Sequence, residues 1–136
     1  MATAYMSVEE HIQAARTLLE ESIREYQESG DSLQSSEKLW GAACHALIAR
    51  AKQRGWTVGS HRALVNSSQL LAIEQNDEWF RASFSVAQKF HNRFYGDSHF
   101  DPFTETSTLD DDREMVTRFV NRVLAITESD HPGNGA

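Results

Sequence analysis

The chain has 136 residues, 40% hydrophobic and 24% charged, and its 13 Lys+Arg against 20 Asp+Glu leave a net charge of −7. That length supports one apolar core without metal or disulfide staples, the acidic balance argues against coating nucleic acid through clustered Lys/Arg, and a lone Cys44 excludes an intrachain disulfide and any CxxC zinc or redox motif. With no apolar run near the roughly 18 residues of a membrane span and no leader-like N-terminus, the expectation is a cytoplasmic domain with no cofactor and no membrane association.

The first 101 residues contain no proline, so helices can form wherever the pattern asks for them. Ser7 followed by Glu10 has capping-box spacing, and Val8, Ile12, Ala15, Leu19, Ile23 and Tyr26 recur every three or four residues, predicting a helix over 8–29 that ends at Gly30. Asp31 with Gln34 can cap a second helix carrying Leu33, Ser36, Trp40, Ala43, Leu47 and Ala51 as far as Gly55. Its middle, Gly41-Ala42-Ala43-Cys44-His45-Ala46, is small or apolar all round, which marks a central helix that lets its neighbours approach closely. Gly41 is expected at such a crossing.

After Gly55-Trp56-Thr57-Val58-Gly59, Ser60 can cap a shorter helix reaching about Gln75, and Asn76-Asp77 separates it from a helix over 78–95. Trp79, Phe80, Phe84, Phe90, Phe94 and Tyr95 place six aromatic rings on that fourth helix, so it should be buried against several partners. Residues 96–108 are polar, contain Pro102 and read as a loop; the fifth helix is expected to begin near Asp110, where Asp110, Asp111 and Asp112 complement a helix N-terminus. The predicted organisation is a flexible 1–6, a single domain over 7–127 and a disordered tail over 128–136. The fold class is all-α, an up-and-down four-helix bundle with one additional short helix. Helices of roughly 18 to 23 residues span about 27 to 35 Å and expose long side faces, which a homodimer would cover.

Among the six histidines, His11 in the first turn and His131 in the tail read as solvated, and His45 as partly buried. The densest cluster of ligand-type residues is His91 with Asp97, His99 and Asp101, whose alternation on an extended loop could converge on a divalent metal, although Asx-rich loops are also ordinary turn chemistry. Cys44, mid-helix among alanines, reads as an inert small hydrophobe, and the carboxylate pairs Glu9/Glu10 and Glu20/Glu21 read as solvated faces. No GxSxG, P-loop or GxGxxG occurs.

Three segments stand out: Glu37-Lys38-Leu39-Trp40-Gly41-Ala42 on the second helix, Gly55-Trp56 followed by Ser60-His61 in the connection, and His91-x-x-Phe94-Tyr95 ending the fourth. In this order they resemble the HEPN superfamily of helical bundles, closest to its PaREP branch, over about residues 7–126. The resemblance implies a four-to-five-helix bundle that commonly dimerises, and partnership with a nucleotidyltransferase-like chain. Many HEPN proteins are ribonucleases that use an Arg and a His separated by four to six residues, and the pairs with that spacing here are Arg54/His61 and Arg93/His99. The leading expectation is a homodimeric interaction or ligand-binding module, with Glu37, Lys38, Trp40, Trp56 and Tyr95 as ligand-binding residues. The alternatives are a metal-independent ribonuclease, with His61 or His91 as general base and Arg54 or Arg93 steadying a phosphate, and a divalent-metal-binding bundle. Glu37, Trp40, His61, His91 and Tyr95 are expected to share one site, because Glu37/Trp40 and His91/Tyr95 each lie one helical turn apart.

Overall fold

The computed structural model describes residues 6–92 and 102–130, with side chains from Leu109 onward in the second stretch. Helix α1, Val8–Ser29, opens on the expected capping box: Glu10 N donates to Ser7 Oγ at 3.1 Å and Ser7 N donates to Glu10 Oε1 at 2.8 Å. It stops at Gly30, whose φ of 74° suits a residue without Cβ and whose N–H donates to Tyr26 O. Helix α2, Leu33–Arg54, is capped by Ser32 and Ser35 rather than by Asp31 and Gln34. Ser32 takes the extended φ/ψ of an N-cap, while Asp31 Oδ1 accepts from Ser36 Oγ at 3.2 Å. Helices α3, His61–Gln75, and α4, Trp79–Asn92, come next, with Ser60 capping α3 as the sequence suggests.

Helix α5, Pro102–Asp130, corrects the sequence reading at both ends. Proline is by propensity a loop marker, yet at the first helical position its fixed φ is pre-organised and its missing N–H is one the first turn leaves unbonded in any case. Asp110, Asp111 and Asp112 therefore sit two turns inside α5 rather than at its start. At the other end the helix continues through Asp130, three residues into the expected tail. Ion pairs hold it there: Glu128 Oε1 accepts from Arg16 Nη2 at 2.5 Å and Asp130 Oδ2 from Arg50 Nη1 at 2.9 Å.

The protein is an all-α bundle, with no strand among the described residues. Helices α1, α2, α4 and α5 alternate in direction. Successive contacts show it: His11 meets His45 and Ser22 meets Ser35 between α1 and α2, Glu37 meets His91 and Trp40 meets Phe84 between α2 and α4, and Trp79 meets Arg122 and Phe90 meets Arg113 between α4 and α5. Helix α2 is the central one, packed against all four others. Its Leu39, Ala42, Ala43, Ala46, Leu47 and Ala49 are wholly buried beside Phe80, Phe84, Phe90 and Phe119, each large side chain contributing about 1.5–3 kcal/mol of transfer free energy.

The additional helix, α3, runs parallel to α2. Its first residue, His61, lies against Trp40, while Glu74 near its end pairs with Arg50 and Arg54 at the end of α2. The six residues 55–60 therefore carry the chain back along α2 before α3 begins, a return of about 20 Å that extended backbone spans. Trp56 and Val58 pack that strap onto the core, and Thr57 O accepts from Ser67 Oγ. On the opposite side Arg113 is buried, donating to Ser22 Oγ at 2.8 Å, with its guanidinium 4.2 Å from the Tyr26 ring centre. Burial lowers the pKa of Arg113, opposed by Tyr26, Asp31 and Asp110.

Candidate functional site

The returning strap decides where the site lies. It delivers His61 to the middle of α2, where Trp40 projects one turn after Glu37, and the antiparallel α4 brings His91 to the same place. The Trp40 indole is stacked by His91, with ring centres 5.6 Å apart and planes 25° apart, and met by His61 at 5.9 Å and by Phe84 at 5.4 Å. The two imidazole centres thus lie no farther apart than the sum of their distances to Trp40. Phe84 is buried, whereas His61 is exposed and the His91 and Glu37 side chains are 39% and 32% accessible, so the cluster has an apolar floor and an open polar rim.

Each imidazole has a polar partner. Glu37 Oε1 lies 3.0 Å from His91 Nδ1, and Gln88 Nε2 lies 3.1 Å from His61 Nε2. A carboxylate aligning one imidazole beside a second imidazole is an arrangement suited to hydrogen-bonded recognition and to proton transfer.

Of the residues singled out from sequence, the fold gathers Glu37, Trp40, His61 and His91. Lys38 points elsewhere: its Nζ sits 2.9 Å from Glu25 Oε2 and 3.2 Å from Glu21 Oε1, and these bonds, Glu25 first, hold the ammonium above its ordinary pKa. It comes directly after Glu37, and successive helical side chains diverge by about 100°. Trp56 belongs to the strap and packs on the core. Arg54 Nε pairs with Glu74 Oε2 at 2.6 Å, which places it at the far end of α3, about 20 Å of helix rise from His61. Arg93, Tyr95, Asp97, His99 and Asp101 lie outside the described residues, as does His131. Among the described residues no three His, Cys, Asp or Glu side chains are grouped to hold a metal.

His11 is a correction. Far from solvated, it is fully buried, its Nδ1 2.9 Å from His45 Nδ1, because the antiparallel α1–α2 pair lays the first turn of α1 against α2. Burial lowers the pKa of His45. Cys44 matches its reading as an inert hydrophobe: burial, with Glu37 adding, pushes the thiol up to about 12, so almost no thiolate forms near neutral pH.

Sequence reasoning passed over Gln88, although it precedes His91 by three residues and therefore shares its face of α4. It also passed over Arg50, which is buried between Glu74 and Asp130.

The model of the archaeal PaREP1/PaREP8 family matches residues 10–120. The match covers most of the chain, all of α1 to α4 beyond the first turn, and most of α5, and the chain belongs to that family. No curated protein and no solved structure matches it. No helix, among the described residues, is long and apolar enough to cross a membrane.

Proposed function

We propose that this PaREP1/PaREP8 protein is a HEPN-like, cytoplasmic homodimer that serves as a ligand-binding or interaction module, taking its ligand at the rim formed by Glu37, Trp40, His61, Gln88 and His91. The observation that carries the reading is the convergence of two imidazoles, one from α3 and one from α4, on Trp40 of α2, each imidazole with its own polar partner. Scaffold packing alone does not call for half-open polar pairs above an aromatic floor, whereas a binding site does. The engagement of Arg54 with Glu74 favours binding over phosphodiester cleavage, since that cation stands far from His61.

A metal-independent ribonuclease is the second reading, and one observation favours it: Glu37 orients His91 as a carboxylate orients a general base. Three measurements test the proposal, and the last two separate it from the ribonuclease. Sedimentation at micromolar concentration should give twice the 15.4 kDa chain mass, and a monomer overturns the homodimer. In a Trp56→Phe, Trp79→Phe background Trp40 is the sole tryptophan; its fluorescence should respond to the small-molecule fraction of a cell extract, and silence counts against a ligand site. Total RNA incubated with the protein in chelator should stay intact. Degradation that disappears in His61→Ala and His91→Ala transfers the assignment to the ribonuclease.

A further inference from the structure

Exposed charge is unevenly spread over the helices. Carboxylates line α1 at Glu9, Glu20 and Glu28 and α5 at Asp110, Asp111 and Glu114, and α4 presents Arg81 and Lys89. Helix α3 differs. Its outward stripe runs Arg62, Val65, Asn66, Gln69, Leu70 and Ile73, at the three- and four-residue steps of one helical face, and beyond Arg62 it carries no charge. The one carboxylate of α3, Glu74, is held between Arg50 and Arg54 with 14% of its side chain accessible. Ile73 is 76% accessible and Leu70 41%, and among the described residues only Leu33 joins them as an exposed large hydrophobic side chain.

The stripe mirrors itself about the point between Ser67 and Ser68: Val65 mirrors Leu70, Asn66 mirrors Gln69 and Arg62 mirrors Ile73. A two-fold axis through that point would set α3 antiparallel against α3 of a second copy and bring each mirrored pair face to face. Apolar then meets apolar, amide meets amide, and Ile73 meets the aliphatic stem of Arg62. A recess for Ile73 lies in the same place: a groove of about 350 Å³ lined by Thr57, Arg62, Ala63, Asn66 and Ser67. Knob and recess stand about 15 Å of helix rise apart on one face, so the two-fold operation fills both recesses at once. Two chains of net charge −7 repel, and this face lets them meet without opposing carboxylates. We propose that the outward stripe of α3 is the homodimer interface, packed antiparallel on the same stripe of a second copy; this names the face of the homodimer proposed above and rests on that reading.

A face one helix wide and about 22 Å long is at the small end for a stable dimer, so charge placed within it should break it. The test is sedimentation velocity of the full chain over a range of concentrations. Wild type should dimerise. Ile73→Glu, and the double variant Asn66→Glu with Gln69→Glu, in which carboxylates oppose each other across the axis, should each weaken association about tenfold or more. The double variant Asn66→Lys with Gln69→Glu sets an ammonium opposite a carboxylate and should dimerise as wild type does. All three positions are exposed, so helical circular dichroism and melting temperature of the monomer should stay unchanged. A dimer indifferent to Ile73→Glu and to the double glutamate variant overturns the α3 face and leaves the homodimer standing. A wild-type monomer overturns both. Two double variants that weaken association equally overturn the antiparallel pairing.

Discussion

A hydrogen bond between two imidazole Nδ1 atoms needs one proton, and His11 and His45 make such a bond at 2.9 Å with His11 out of solvent. Burial opposes the charged form, so His45 is held below its ordinary value of 6.5 in the fold while the unfolded chain titrates at that value. The unfolded chain then binds more protons in mildly acidic solution. Stability is fully present above pH 6.5 and falls as the pH drops through it toward the folded value. Urea midpoints should decline from pH 7.5 to 5.5, and His45→Asn, which keeps a short hydrogen-bonding side chain, should shrink that decline. An unaltered pH slope in the variant would place the titration elsewhere.

Between elements, the α1–α2 crossing is the close one. A Cβ placed on Gly41 would stand 3.1 Å from Leu18 Cδ1, tighter than comfortable contact but facing the mobile end of a side chain. Gly41→Ala should therefore be nearly neutral, because the roughly 1 kcal/mol gain in helix propensity is offset by displacement of Leu18. Gly41→Leu cannot be absorbed that way. It should cost about 1–3 kcal/mol through overpacking of the crossing, read as a lower melting temperature. Capping chemistry belongs to the same scale, and it explains the shifted start of α2: Asp31 and Ser32 are both good N-caps, and the one in extended conformation one residue before the helix wins.

Across the whole molecule, Arg50 ties three helix ends together. Buried near the end of α2, it donates to Glu74 of α3 at 2.8 Å and to Asp130 of α5 at 2.9 Å, while Gln53 Nε2 reaches Thr127 O. Replacing one partner of a buried pair leaves a charge desolvated. Glu74 keeps Arg54, so Arg50→Met should cost about 2–3 kcal/mol, less than the roughly 3–5 kcal/mol of a buried pair broken with no replacement partner. The loss should be local as well as global: hydrogen exchange at residues 127–130 should accelerate more than at the middle of α5. Uniform acceleration would mean that the network does not anchor the last turn.

Helix positions were legible wherever short-range physics decides them. The apolar period, Ser7 with Glu10, Ser60 and the glycines at 30 and 55 place α1, α2 and α3 to within a residue or two, and the small-residue run at 41–46 identifies α2 as the centre. The companionship of Glu37 with Trp40 and of Gln88 with His91 comes from helical spacing in the same way. Pro102 suits a loop and a first helical turn equally by its own chemistry, so long-range packing chooses between them, just as the burial of His11 and Arg50 depends on which helices pack alongside. The site itself turns on the strap at 55–60. A tight turn after Arg54 would have left His61 at the far end of α2; the return of the chain sets it against Trp40 and leaves Arg54 with Glu74. That outcome is a matter of long-range packing, with Trp56 and Val58 set along the core, and no local propensity encodes it.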